Sequence, residues 1–182
     1  IHMLGDRYSY GFCTVSSTPT VGEDYIQCPK NFSLLYTYYH ALWDQLFNFG
    51  VQFGVNYGEE GYYSKYEEWG ERYEIIEIPL VSQFKIDFSR FRILVNAGGY
   101  YGYRLSTARE RGWDQYDIRH DYGILAGGGF AVVFKPFEIQ FEGNYKFSLN
   151  SIYHTNKFSD QYWMLCYPRN IMLSVSLFVH LW

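Results

Sequence analysis

The most strongly two-faced segment of the chain is Phe137 to Asn150, in which apolar and polar residues alternate without a break. Because side chains of a β-strand alternate between its two faces, this segment predicts a strand with one aromatic face and one charged face. Such a strand belongs either to a barrel in lipid with a polar interior or to a soluble barrel with the faces reversed. The apolar set is Phe137, Ile139, Phe141, Gly143, Tyr145, Phe147 and Leu149, and the polar set is Glu138, Gln140, Glu142, Asn144, Lys146, Ser148 and Asn150.

The same period-2 pattern predicts eight strands, with no amphipathic helix and no internal linker. The connections between them alternate in length, three being tight and four being long and polar. In an up-and-down barrel every second connection lies at the same rim, so this alternation collects the tight turns at one rim and the long loops at the other. The predicted strands span roughly residues 6–15, 31–43, 45–58, 73–87, 90–104, 120–134, 137–150 and 170–182.

Sorting of the connections by rim is typical of outer-membrane barrels, which have short periplasmic turns and longer extracellular loops. The predicted fold class is therefore all-β, an eight-stranded antiparallel up-and-down transmembrane β-barrel that forms one domain over residues 4–182. Ile1, His2 and Met3 look like a remnant of cloning, and a signal peptide is not visible. We therefore expect that a natural leader was removed.

The polar faces of the strands are assigned to the interior of the barrel. An eight-stranded barrel is filled by its own side chains, and buried charges must be paired. We therefore expect an internal network in which three glutamates neutralise three cations, namely Glu77, Glu138 and Glu142 with Lys85, Arg92 and Lys146. In the last strand the aliphatic phase from Ile171 to Leu181 is assigned to lipid and Trp182 to the rim.

The composition of the chain supports contact with a membrane surface. Aromatic residues make up 22% of the chain, with 20 tyrosines, although the mean hydropathy is −0.25. Tyrosine suits the headgroup level of a bilayer, where one end of the side chain is apolar and the other is wet. A net charge of −4 without a basic stripe argues against a nucleic-acid partner.

The sequence offers no motif for catalysis, a metal or another cofactor, so we expect a protein that is not an enzyme. His40, His120, His154 and His180 lie on different strands or loops, and no metalloprotease motif links them. The three cysteines lack zinc spacing. Because the first and last strands of a closed barrel are neighbours, a disulfide between Cys28 and Cys166 is one prediction, and three separate thiols are the alternative.

Specific binding is expected in the long loops. The predicted loop 59–72 combines five glutamates with four aromatic residues, which are candidate contacts for a protein or saccharide partner. A solvated loop without a partner is an equally good interpretation. The four aromatic residues are Tyr62, Tyr63, Tyr66 and Trp69.

Five segments, in order over residues 45–182, resemble strands of the PorT-like outer-membrane β-barrel family of Gram-negative bacteria. They are FGVQFGVNYGEEGYYS (49–64), YEIIEIPLVSQFK (73–85), residues 96–103, residues 121–130 and residues 144–149. The resemblance implies a porin-like, monomeric outer-membrane protein with a structural, adhesion or secretion-accessory role. Its implied partners are outer-membrane lipid, lipopolysaccharide and the barrel-assembly machinery, which would read the C-terminal aromatic residue Trp182.

Three other functions stay open at this stage. With its faces reversed, the chain would be a soluble calycin-like barrel that binds a small apolar ligand. A small passive pore and a lipid-modifying barrel enzyme are further alternatives.

Overall fold

Nine strands occur in the computed structural model, which describes residues 1–18, 23–42, 47–65, 69–107, 117–152 and 165–181. None of these residues forms a helix long and apolar enough to cross a membrane. The strands are β1 (His2–Thr18), β2 (Glu23–Asp24), β3 (Ile26–Leu42), β4 (Phe47–Ser64), β5 (Trp69–Phe88), β6 (Phe91–Thr107), β7 (His120–Phe134), β8 (Phe137–Ser148) and β9 (Leu165–His180).

The eight long strands form one closed antiparallel sheet. Its order is β4-β3-β1-β9-β8-β7-β6-β5, and the pairing of β4 with β5 closes the ring, while the two-residue β2 adds to the end of β4. The first and last strands pair along their whole length, from Met3 opposite His180 to Thr18 opposite Leu165. The predicted all-β, eight-stranded antiparallel barrel is therefore confirmed.

The two rims of the barrel differ. At one, called here the turn rim, Ser89-Arg90 joins β5 to β6 and Lys135-Pro136 joins β7 to β8, and β1 begins beside the end of β9. The other rim is called here the loop rim. It is the rim at which four strands end, namely β1, β4, β6 and β8. The sorting of short connections to one rim therefore agrees with the sequence pattern.

One predicted loop is wrong. Residues 59–72 do not form a long loop, because the ladder between β4 and β5 continues from Asn56 opposite Glu77 to Ser64 opposite Trp69. The alternation persists here, but aromatic residues occupy both faces: Tyr62 is buried and Tyr63 is exposed. The sequence therefore lacks the polar–apolar contrast that marks a strand, although these residues do form one.

Apolar side chains cover the outside of the barrel wall. On β5 the exposed positions include Ile76, Ile78 and Leu80, and on β9 they include Leu173 and Val175, as the sequence pattern predicts. Together these positions form an apolar belt around the barrel. Its loop-rim edge carries Phe32, Tyr57 and Tyr101, and its turn-rim edge carries Phe88, Phe91, Phe134 and Phe137.

The first three residues form part of the barrel wall. His2 and Met3 pair with Tyr38 and Thr37 of β3, and Met3 is fully buried against Tyr39 and Phe178. These residues therefore complete the wall at the turn rim, whatever their origin.

Candidate functional site

Polar and charged side chains fill the interior in tiers along the barrel axis. The tier nearest the turn rim is centred on Glu138, which is fully buried. Its carboxylate accepts from Lys85 Nζ at 3.0 Å and from the guanidinium of Arg92, and His180 Nε2 lies 2.9 Å away. The Lys85 ammonium also lies 3.6 Å from the centre of the Tyr39 ring. This tier brings together three of the residues that the sequence singles out.

The next tier is centred on Glu142. Its carboxylate accepts from Gln83 Nε2 at 3.1 Å and from Asn96, and it forms an ion pair with Arg7 of β1. The sequence did not single out Arg7. The available signal was the alternation of β1, in which Arg7 shares a face with Ser9, but the charged residue Asp6 on the outward face weakens the contrast.

A third tier pairs Lys146 with Glu77, and Asn56 Nδ2 donates to the same carboxylate at 2.7 Å. Lys146 Nζ also lies 4.5 Å from the centre of the Tyr100 ring. Between this tier and that of Glu142 lies a cavity of about 60 Å³, lined mainly by polar side chains that include Asn96 and Asn144.

A fourth tier lies beyond the apolar belt, towards the loop rim. Fully buried Arg104 pairs with Glu60, lies 3.9 Å from Asp121 and donates to the carbonyl oxygen of Ile118 at 2.7 Å. Burial raises the pKa of the Glu60 carboxyl to about 7, against the opposing effect of Arg104, and Asp121 adds to the rise. The sequence pattern placed Glu60 in a loop, although Arg104 and Asp121 continue the interior phases of their strands.

The predicted disulfide between Cys28 and Cys166 is wrong, because the ladder keeps the two residues apart. Cys28 lies opposite Gly11 and Cys166 lies opposite Ser17, six residues farther along β1. At about 3.3 Å per residue this is roughly 20 Å, far beyond the Cα separation of about 7 Å that a disulfide tolerates. All three cysteines are buried free thiols, and Cys28 instead contacts Cys13.

The predicted loop contacts separate into different environments. Tyr62 is fully buried in a cluster with Val15, Tyr73, Ile152 and Cys166, so it is not available to an external partner. Tyr63 is 39% exposed. Tyr66, Trp182 and the side chain of Trp69 lie outside the described residues.

The described histidines lie in separate environments. His120 bonds the Tyr101 hydroxyl, His180 bonds Glu138, and His40 is exposed. His154 lies outside the described residues. Within the described ranges, no group of three or more His, Cys, Asp or Glu side chains is placed to hold a metal ion.

An apolar outer wall around a charged interior defines a barrel of the outer-membrane type, and solved structures share this fold. Neisserial surface protein A is 12% identical and aligns over 98% of this chain and 96% of its own, with a TM-score of 0.59. Ail, the attachment invasion locus protein of Yersinia pestis, is 10% identical and aligns over 97% of each chain, with a TM-score of 0.50. No family model matches the sequence, and no curated protein does so.

Proposed function

We propose that this chain is an integral, non-enzymatic protein of the outer membrane of a Gram-negative bacterium. The observation that carries the proposal is the sidedness of the wall: isolated apolar side chains such as Ile78 and Leu80 are about 60% exposed, whereas Glu138 and Lys85 inside are almost completely buried. Water would favour the opposite arrangement, since exposing apolar surface costs roughly 25 cal/mol per Å². Lipid favours the observed one.

The height of the apolar belt supports the same conclusion. On β5 the outward apolar positions run from Ile76 to Phe88. With about 3.3 Å per residue and a strand tilt of roughly 40°, they cover about 30 Å along the barrel axis. Outer-membrane barrels carry an apolar band of roughly 25 Å flanked by aromatic residues, which suits this wall.

The specific role of the protein depends on which of its surfaces lies outside the lipid and can meet a partner. The tiers fill the interior, so the loop rim, extracellular in this orientation, is the surface offered to a partner. We propose a PorT-like structural, adhesion or secretion-accessory role there, with Tyr63 among the contacts. The barrel would act as a monomer, and Trp182 would be read by the barrel-assembly machinery.

The experiment that tests the membrane assignment combines gel mobility with one pair of substitutions. A folded outer-membrane barrel should migrate differently before and after boiling in mild detergent, and should precipitate when detergent is withdrawn. Leu80→Arg places a charge in the middle of the belt, where it costs about 2–4 kcal/mol, so the heat-shifted band should weaken. Leu105→Arg, at the loop-rim end of β6, is the matched control and should cost about 1 kcal/mol or less.

A soluble calycin-like barrel gives the opposite result. The native protein would then be monodisperse in plain buffer, and Leu80→Arg would improve its solubility. That outcome would refute the membrane proposal and redirect attention to apolar ligands.

A further inference from the structure

Three sulfur-bearing side chains lie together inside the barrel, on the part of the wall formed by β3, β1 and β9. Gly11 of β1 lies opposite Cys28 of β3 on one side and opposite Met172 of β9 on the other, so these residues form one row across the strands. Cys13 is the next inward residue of β1 after Gly11. The two cysteines are fully buried, and Met172 is 6% exposed. We call Cys13, Cys28 and Met172 the sulfur cluster.

The missing side chain of Gly11 lets the members of this cluster approach one another. A Cβ on Gly11 would lie 2.8 Å from Met172 Sδ and 3.5 Å from Cys28 Cβ. The thioether of Met172 therefore occupies the space over the glycine, next to Cys28. The Cys28 thiol also contacts the Cys13 thiol, which donates to the carbonyl oxygen of Glu59 at 3.5 Å. Two thiols and a thioether thus converge on one inward patch of the wall.

This combination of side chains suits a soft metal ion. Thiolates and thioethers select Cu(I), whereas zinc is bound by cysteine, histidine and carboxylate side chains. The cluster contains only two of these zinc ligands, in keeping with the absence, among the described residues, of any group of three or more His, Cys, Asp or Glu placed around a metal. Sulfur atoms that share one ion through bonds of about 2.3 Å lie about 4 Å apart, which is also the separation of side chains in ordinary contact.

We propose that Cys13, Cys28 and Met172 bind one Cu(I) ion inside the barrel. This inference goes beyond the proposed membrane role and does not depend on it. Binding displaces the protons of both thiols and forms three copper–sulfur bonds, and the copper stays in the same oxidation state. One monovalent cation and two thiolates leave the site with a single negative charge. Lys146, whose ammonium group acts electrostatically on the Cys13 thiol, offsets part of this charge.

The interior has space for the ion beside the cluster. Met172 lines the cavity of about 60 Å³ near the third tier, and so does Asn144, which lies opposite Met172 on β8. A water molecule needs a cavity of roughly 10–15 Å³, and a bare copper ion is no larger than a water molecule. The ion therefore fits without displacing a side chain of the third tier.

Anaerobic titration of the folded, detergent-solubilised barrel with Cu(I) tests the inference, in competition with bicinchoninate, a coloured chelator of Cu(I). We expect one copper ion per folded barrel and an ultraviolet charge-transfer band from thiolate to copper. Cys13→Ser and Cys28→Ser should each abolish this band. Met172→Leu keeps the side-chain volume and should bind copper about tenfold more weakly or worse, since losing even a group that only supports a ligand costs roughly 10–100-fold.

Cys166→Ser is the matched control. It also removes a buried thiol, but Cys166 belongs to a separate cluster with Tyr62 and Tyr73, so this variant should bind copper like the native barrel. The heat-shifted gel band of each variant shows whether it has folded. If neither cysteine variant folds, the comparison of Met172→Leu with the native barrel decides.

Four results would overturn the inference: a native barrel that yields its copper completely to bicinchoninate, equal affinity of Met172→Leu and the native barrel, equal loss of copper by Cys166→Ser and Cys13→Ser, or equal binding by boiled and folded protein. The last would indicate thiols of the unfolded chain rather than a built site. A barrel that is soluble without detergent would refute the membrane proposal, but it can be titrated in the same way. The two proposals therefore fail separately.

Discussion

Glu138 offers the most direct test of the interior tiers, because one carboxylate faces two buried cations. Its Oε1 lies 3.0 Å from Lys85 Nζ, and its Oε2 bonds Arg92. At an effective dielectric constant of about 20, one such pair is worth about 5 kcal/mol of Coulomb energy. Removing one partner of a buried pair costs roughly 3–5 kcal/mol, since the other charge stays buried without compensation. We therefore expect Glu138→Gln to lower the free energy of unfolding by about 3–5 kcal/mol.

The assay is urea unfolding of the protein folded into phospholipid vesicles, followed by tryptophan fluorescence and by the heat-shifted gel band. Asp24→Asn is the matched control, because Asp24 is 47% exposed and lies 3.6 Å from the exposed Lys65. An exposed pair is worth about 1 kcal/mol or less, so this variant should unfold like the native protein. Lys85→Met combined with Glu138→Gln removes both charges, and it should unfold later than Glu138→Gln alone.

Two results would contradict this reasoning. If Glu138→Gln and Asp24→Asn lost equal stability, the carboxylate could not be buried between cations. If adding Lys85→Met to Glu138→Gln restored nothing, the cost would come from lost packing rather than from an uncompensated ammonium group.

Two further predictions concern the wall and the fourth tier. A Cβ on the inward-facing Gly129 would lie 1.9 Å from the backbone oxygen of Phe141, whereas a Cβ on the outward-facing Gly143 would lie 3.8 Å from Leu173 Cδ2. Gly129→Ala should therefore abolish the heat-shifted band and Gly143→Ala should keep it. Equal yields of the heat-shifted band would refute the register. The pKa of Glu60 is raised to about 7, so the folded state binds this proton more tightly than the unfolded one. Stability from this group is complete below about pH 4.5 and is lost as the pH rises through 7, by roughly 3 kcal/mol. Gel-shift melting points measured from pH 5 to 8 should fall for the native barrel and stay flatter for Glu60→Gln; parallel slopes would contradict the assignment.

The sequence predicts the wall of this barrel better than its ends. Alternation places Glu138 and Lys146 inside because each is flanked by outward aromatic or aliphatic residues, and it places Glu142 inside because Phe141 and Gly143 beside it face outward. At the loop-rim end of β4 the same rule fails, since Tyr62 and Tyr63 look alike in sequence although one is buried and the other exposed. Amphipathic tyrosine suits both environments, so it carries little information about the face it occupies.

The sequence predicts which face of the wall a residue occupies better than it predicts which residues pair with each other across the interior. Alternation fixes which face a residue occupies but not its register against the neighbouring strand, which depends on the ladder as a whole. Glu142 therefore appears in the sequence as an interior carboxylate, but its partner Arg7 lies far away along the chain. The proposed disulfide failed for the same reason: adjacent strands bring two loops together, whereas register decides how far apart Cys28 and Cys166 lie.

The arrangement of the tiers also bears on conduction. The contacts of Glu142 join β8 to Arg7 of β1 and to Gln83 of β5, strands that are not adjacent to each other, so this tier crosses the lumen. The cavity beside it, about 60 Å³, has room for about four waters, far less than a hydrated path needs. An ion moving along the axis would have to separate buried pairs, at a cost of several kcal/mol each. A passive pore is therefore disfavoured by the same contacts that stabilise the wall, and the outer surface at the loop rim becomes the better place to look for activity.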